Sequence, residues 1–592
     1  MQETNDFLTA DYERKYYKKE ITAGSLIFTE GRKTISLNGE WNYTLDQYDT
    51  CLRQNWENEV YHDSDGRSFP VDFSFDTWDK VTLPCSMNMF RPEYFWYEGP
   101  FVFTRKFSYD ASGKGHVFLR IGAANHTCRV FLNKEYLGQH RGGSTPFMID
   151  ITGYLKSDNR IIIVSDNTRR HTSVPTENTD WFNYSGVYRD IELVEVPDRY
   201  IRDFRISLVP GSKYGKIKAA FETSESDGSV ILRIPALDIE ETVMIENGKG
   251  SCVMDAPGQL SLWSPESPAL YEVTAEYFDD MVSDTIGFRE ISVSGNDIFL
   301  NGEKIFLRGI SVHEDSYYTG KALTDEEREE IVKTAKDLGA NYLRLAHYPH
   351  NEAMAKLCDR EGILLWEEIP VYWSIAFSNP DTYFLAENQL EELIRRDHNR
   401  ASVIIWSVGN ENPDSDERFS FMSRLSNHAH ALDDTRMVSA ACLVDGATLS
   451  IRDRLAEKLD IIGVNEYIGW YSPNFEELPA LFENSHPSKP VIITEFGADA
   501  MAGLHGSITD KGTEECQAEV YRKQIETISS IPYIKGMTPW ILFDFRCPRR
   551  TSSIQLFFNR KGLVTSDRKY RKPAFDVLRE FYLSEGSHKC CP

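Results

Sequence analysis

Two stretches, Ser402-Val403-Ile404-Ile405-Trp406-Ser407-Val408-Gly409-Asn410-Glu411 and Pro490-Val491-Ile492-Ile493-Thr494-Glu495-Phe496-Gly497, open as apolar, β-branched runs and arrive at a glutamate. A short continuous run of this kind marks a strand buried on both faces, as in a parallel sheet. Six further runs flank them: Ile305 to Ile310, Tyr342 to Leu345, Ile363 to Trp366, Met437 to Ala441, Ile461 to Val464 and Gly536 to Leu542. They alternate with helical patterns, and eight such units in about 290 residues suit one (β/α)8 barrel, for which ~250 residues is usual. Glu411 and Glu495 then stand at the C-terminal ends of the fourth and seventh strands, the end of a barrel where chemistry is housed.

The intervening helices are legible from their ends. Thr324-Asp325-Glu326-Glu327 is a capping box: the Thr324 hydroxyl and the Glu327 carboxylate satisfy free N–H groups, and the acids complement the helix dipole. Ile331, Val332, Ala335 and Leu338 recur at helical spacing, and Gly339 ends the helix.

Upstream of about Ser292 the pattern is different. Short β-prone runs such as His116 to Ile121, Thr127 to Leu132 and Arg160 to Val164 are separated by Gly, Asn and Asp, as in a β-sandwich or jelly roll. A smaller β region from about Arg199 to Gly287 suits one immunoglobulin-like sandwich. The expected division is therefore a jelly-roll sandwich over 1–197, an immunoglobulin-like sandwich over 198–291 and a TIM barrel over 292–592. Several domains are what 592 residues require, since single cores stop growing beyond ~250 to 300 residues.

The net charge of −26 argues against nucleic-acid or anionic-membrane partners, so a negatively charged substrate would need a local cluster of cations. The ten cysteines show no CxxC and no regular framework, and read as buried thiols of a reducing compartment. Met1 to Asp6 is acidic, with no apolar targeting segment and no run of 18 apolar residues after it; a cytoplasmic location is expected. The end of the chain, from Leu583, reads as a frayed tail.

Two opposed carboxylates are the apparatus of glycoside hydrolysis: one acid protonates the departing oxygen, and one carboxylate attacks or stabilises the anomeric carbon. Asn410, a neutral amide able to hydrogen-bond a sugar hydroxyl without altering local charge, precedes Glu411 and favours Glu411 as the protonated partner, leaving Glu495 ionised. A separation of ~5 to 5.5 Å would give retention of configuration, and more than ~6.5 Å inversion. Other candidates are His313 and His347 at the ends of the first two strands, to donate to hydroxyls or orient the acids, and Trp540 as a platform under a sugar ring. No HExxH spacing accompanies the histidines, and no metal or other cofactor is expected.

An ordered series of segments resembles glycoside hydrolase family 2, the family of β-galactosidases, β-mannosidases and β-glucuronidases. The segments are Leu37-Asn38-Gly39-Glu40-Trp41, Asp180-Trp181-Phe182-Asn183-Tyr184-Ser185-Gly186-Val187-Tyr188-Arg189, Gly287-Phe288-Arg289, Arg308 to Asp315, Arg344 to Pro349, Asn410-Glu411 and Thr494-Glu495. The resemblance implies Glu411 as acid/base and Glu495 as nucleophile of a retaining mechanism. Two more segments are similar to the β-glucuronidases. In Asn465-Glu466-Tyr467-Ile468-Gly469-Trp470-Tyr471 the likeness implies that Tyr467 touches the nucleophile and Tyr471 the sugar carboxylate. Asn559-Arg560-Lys561 fits their Asn-x-Lys motif, in which Asn559 and Lys561 hold the C6 carboxylate, and Asp180 would accept from sugar hydroxyls. The chain departs from the pattern at Gln555, where an arginine is expected and the nearest are Arg549 and Arg550, and at Ile468, which replaces a tyrosine.

The reading is thus an exo-acting β-glucuronidase, with β-galacturonidase, dual hexuronidase and then β-galactosidase as alternatives, and a catalytically inactive carbohydrate-binding protein as the alternative of another class. A homo-oligomer is expected, as for many soluble proteins of this kind.

Overall fold

A computed structural model describes residues 19–584 apart from 59, 63, 64, 66, 71–74, 111, 112 and 114. The acidic stretch Met1 to Asp6 and all but the first two residues of the tail lie outside the described residues.

The N-terminal part is a two-layer antiparallel sandwich. One sheet has six strands, in spatial order Glu135–Arg141, Thr127–Leu132, Asp158–Asp166, Pro100–Ser108, Gly39–Leu45 and Asp79–Leu83. The other runs Thr34–Ser36, Ile191–Val196, His116–Ile121 and Phe147–Asp150. Trp41, Phe101, Phe103, Val130, Ile161 and Ile163 from the first sheet meet Leu119, Ile121, Phe147 and Leu193 from the second in one buried core, as two inward faces of alternating strands must.

Seven antiparallel strands follow between Ile201 and Ile286. Ile201–Leu208 and Lys216–Thr223 alternate buried and less buried positions, and their inward residues Phe204, Ile206, Ile217 and Phe221 share a core with Val230, Leu232, Val273 and Val282.

The barrel closes in sequence order: β1 Leu307–Val312, β2 Tyr342–Leu345, β3 Leu364–Glu368, β4 Val403–Asn410, β5 Met437–Leu443, β6 Ile462–Asn465, β7 Val491–Glu495 and β8 Ile534–Met537, with β8 pairing back to β1. β4 is buried along its whole length, the reason its sequence reads as one unbroken run. A three-stranded sheet, Ile291–Ser294, Asp297–Leu300 and Glu303–Lys304, precedes β1, and its Ile291, Ile298 and Leu300 pack with Leu307, Tyr342, Leu364 and Met437 to stopper the N-terminal end.

Two strand expectations are corrected. Ile305 donates its N–H to the Ile298 carbonyl of that stopper sheet and lies outside the barrel, whose β1 begins at Leu307. The apolar run Gly536 to Leu542 is strand only to Met537, within a strand that begins at Ile534; Trp540, Ile541, Leu542 and Phe543 are buried because they fold over the barrel mouth. Helix α1, Asp325–Asp337, carries both bonds of the capping box at Thr324 and Glu327, and Gly339 adopts φ +86° just beyond it.

Arginines join the sandwiches to the barrel. Arg289 donates to the carbonyls of Ala401, Thr435 and Val403, and Arg189 donates to Glu314 and to the carbonyls of Ser144 and Pro349.

Candidate active site

A cavity of about 390 Å³ opens at the C-terminal ends of the barrel strands. Both glutamates line it, together with Asp180, His347, Tyr467, Tyr471, Trp540, Asn559 and Lys561.

Glu495, the last residue of β7, is 5% exposed, and both of its oxygens are held. Arg344 Nη1 donates to Oε1 at 2.8 Å, and the Tyr467 hydroxyl to Oε2 at 2.7 Å. Burial, opposed by Arg344 and reinforced by Glu411, pushes the Glu495 carboxyl up to about 7. Glu411 stands one residue beyond β4 at φ +51°, its N–H bonded to the Ala441 carbonyl and its Oε2 accepting from the Trp373 indole at 2.7 Å. Just past the turn out of the strand, this acid lines the same cavity as Glu495.

Arg344, fully buried on β2, organises the floor. Besides Glu495 it donates to Glu368 at 3.1 Å, to Asn410 Oδ1 at 2.7 Å and to the Thr494 carbonyl at 3.1 Å. Against burial, which alone would raise it, Arg344 and His347 bring the Glu368 carboxyl down to about 2. His347 Nδ1 lies 2.9 Å from Glu368, and burial lowers the imidazole to about 4, so it stands neutral at pH 7. Its ring stacks on Trp540 at 4.8 Å and 22°.

The same cavity also carries cationic and amide groups. Lys561 is 1% exposed, with Nζ 3.2 Å from the Tyr471 hydroxyl and 3.4 Å from Asp499 Oδ2. Against the cost of burial, Asp499 keeps this ammonium above its usual range. Arg550 forms a two-point pair with Asp180, Nε to Oδ1 at 3.0 Å and Nη2 to Oδ2 at 2.5 Å, and Asn559 Nδ2 reaches the same Oδ2 at 3.2 Å.

Two sequence candidates lie off the wall. His313 is one layer back, its Nδ1 3.1 Å from the Tyr348 hydroxyl and its ring among Trp540, Phe545 and His347. Asn410 lies beneath Glu411, with Oδ1 taken by Arg344 and Asn465 and its buried Nδ2 without a partner among the described residues.

Residues that the sequence reading gave no role complete the wall: Tyr372, Trp373, Leu443, Val444, Leu449, Asn465, Glu466, Ile468 and Arg550. The sequence signal for part of this set is Glu368 closing β3, with Tyr372 and Trp373 just after it, the same placement that singled out Glu411 and Glu495. Gln555, at the position where an arginine is expected, donates to Asp499 at 3.1 Å, and the arginine on the cavity wall is Arg550.

The comparisons bear on the same architecture. "Glycosyl hydrolases family 2, sugar binding domain" matches residues 34–197, and "Glycosyl hydrolases family 2, TIM barrel domain" matches residues 291–584. The chain belongs to glycoside hydrolase family 2. It is a glycosidase by that membership. Among its relatives are the β-glucuronidases of Paenibacillus borealis, 28% identical over 94% of this chain and 98% of the relative, and of Mus musculus, 29% identical over 94% and 92%. Similar solved structures include Bifidobacterium dentium β-glucuronidase complexed with coumarin-3-O-glucuronide (TM-score 0.83, 26% identity, 94% of this chain and 98% of that one). A second is the family 2 β-galacturonidase of Eisenbergiella tayi bound to galacturonate (TM-score 0.80, 26% identity, 94% and 98%).

Proposed function

We propose that this enzyme is an exo-acting β-hexuronidase that removes a terminal β-linked glucuronate with retention of configuration. The observation that carries the reading is one cavity lined both by two glutamates and by Lys561, Arg550 and Asn559. A uronic acid has the matching groups: a reacting anomeric carbon, and a carboxylate across the ring from it. Lys561 and Asn559 take the C6 carboxylate, with Arg550 as a second cation, in a chain whose overall charge would repel it.

Glu495 is the nucleophile. Arg344 and Tyr467 fix its two oxygens, and the positive charge of Arg344 favours the ionised form that attack requires. Glu411 protonates the leaving oxygen and then activates water, and Trp373 holds its carboxyl in place. Asn410, beneath Glu411, holds Arg344 through its Oδ1, and Trp540, on the cavity wall, lies under the ring.

A galacturonide is the second reading. Both oxygens of Asp180 already accept bonds from Arg550, Asn559 and Cys547, so the group expected to meet the ring hydroxyls presents them with the donors of Arg550 as well. Relatives of both activities share the fold.

The test is a comparison of 4-nitrophenyl β-D-glucuronide, β-D-galacturonide and β-D-galactoside. The uronides are expected to be turned over and the galactoside poorly or not at all. Lys561→Ala should lower kcat/KM on uronides by about 10- to 100-fold, the worth of a bond to a charged group, and leave any galactoside turnover within a few fold. Equal losses on both, with an unchanged melting temperature, would remove the uronate reading.

A further inference from the structure

A third glutamic acid lines the cavity and takes no part in the proposed chemistry. Glu466 follows the last residue of β6 and is 4% exposed. Its own N–H bonds to the Glu495 carbonyl at 3.0 Å, so its backbone is tied to the nucleophile's strand. Its side chain turns onto the segment that follows, with Oε2 accepting the Ile468 N–H at 2.9 Å. The carbonyl of the same residue, Ile468, accepts from Gln524 Nε2 at 2.6 Å, on helix α2, Glu514–Ile528. Ile468 is thus clamped from both sides. The segment it anchors presents Tyr467 to Glu495 at 2.7 Å and Tyr471 to Lys561 at 3.2 Å.

The clamp contains an imbalance. Glu466 Oε1 and Gln524 Oε1 are both buried without a hydrogen-bond partner among the described residues. A buried carboxylate with neither a cation nor a full set of donors is costly, and the cheaper state is the neutral acid, whose O–H also gives the enclosure the donor it lacks.

We propose that Glu466 is a positioning residue: as an uncharged carboxylic acid it fastens residues 466–472 to helix α2 and so holds Tyr467 on the nucleophile and Tyr471 on Lys561. The idea rests on the proposed hexuronidase reading for the roles of those two tyrosines. The groups around it agree. Burial pushes the Glu466 carboxyl up to about 8, and only the Ile468 N–H and the Gln524 amide oppose it. The titratable neighbours along its backbone are Glu495 and Tyr467, each engaged with the other. Lys511 on the Trp470 carbonyl, Lys561 at the Tyr471 hydroxyl and Lys523 over the Phe475 ring stand beside the segment, and none of them acts on Glu466. Above about pH 8 the acid loses its proton, the clamp carries an unpaired charge, and the two tyrosines lose their fixed positions.

The test must not confuse this limb with ionisation of Glu411. The probe is 2-deoxy-2-fluoro-β-D-glucuronyl fluoride, whose fluoride departs without a proton donor, and the readout is the rate of covalent labelling from pH 7.5 to 9.5, above the range in which Glu495 itself ionises. The wild-type rate should fall several-fold as pH passes about 8, and Glu466→Gln, which keeps shape and hydrogen bonds without a titrating proton, should hold its rate through that range. A wild-type rate that stays level, or a Glu466→Gln profile that declines like wild type, would overturn the proposal.

Thermal unfolding gives a second readout that needs no turnover. An acid with a folded value near 8 and an ordinary value of 4.5 binds its proton in the folded state alone between those limits. The wild type should therefore lose melting temperature relative to Glu466→Gln as pH rises from about 4.5 to 8, and no further above. A difference in melting temperature that does not vary with pH would contradict the neutral acid even if no labelling were seen. Absence of labelling alone, with the melting difference as expected, would instead reject the hexuronidase reading.

Discussion

At the scale of single residues, the cavity separates two glutamates by what holds them. Glu495 accepts from a guanidinium and a phenol, whereas Glu411 accepts from an indole N–H. Glu411→Gln and Glu495→Gln should each lower kcat by orders of magnitude with little change in melting temperature, and turnover equal to wild type in either would reject that residue's role. Tyr467→Phe removes one bond to the nucleophile, worth about 1.5–3 kcal/mol, so kcat should drop by about 10- to 100-fold in steady-state assays. With Glu495 pushed up to about 7 and required ionised, kcat/KM should fall tenfold per unit as pH drops below about 7. A pH profile level down to pH 5 would contradict that state of the nucleophile. Both acids were legible in sequence because an apolar strand announces its own end. Glu368 carries the same strand-end signal, whereas Arg344 was harder to assign, since a buried arginine inside a barrel strand leaves no periodic trace in the chain.

At the scale of elements, legibility follows locality. The capping box of α1 is written in four adjacent residues, and it forms as written. Thr324→Ala should cost about 1 kcal/mol, read as a lower melting temperature with unchanged kcat, because nothing on this helix reaches the cavity. The segment between Phe545–Arg546 and Phe558–Asn559 is the opposite case. Those two pairs form a short antiparallel ladder that closes a loop and returns Asn559 beside Arg550, both against Asp180. Sequence shows where an arginine is absent, at Gln555, but only the folded loop shows which arginine stands on the wall. Arg550→Met should lower kcat/KM on the uronides by about tenfold, the worth of one charge-assisted bond, in the same substrate panel. The end of β8 was misjudged for a related reason: residues that roof the mouth are as apolar as residues in the strand.

At the scale of the whole molecule, the cavity belongs to two layers of the architecture. Asp180 comes from the N-terminal sandwich and pairs with Arg550 from the barrel, so on the proposed function substrate recognition depends on how the two are docked. The docking rests on buried charge, and Arg189 with Glu314 is its clearest example, at 2.7 Å with both side chains almost fully buried. Arg189→Ala leaves Glu314 buried and uncompensated, and should cost about 3–5 kcal/mol in denaturant titration. The family-like segments around Arg189 and Arg289 were readable as a pattern, but their physical task, donating to barrel carbonyls and to Glu314, needed the folded chain.

The most direct measurement is peptide mapping after labelling with 2-deoxy-2-fluoro-β-D-glucuronyl fluoride. The account predicts one added fluoroglucuronyl group, carried by Glu495, with labelling abolished in Glu495→Gln. A label on any other side chain, or equal labelling of Glu495→Gln, would contradict it.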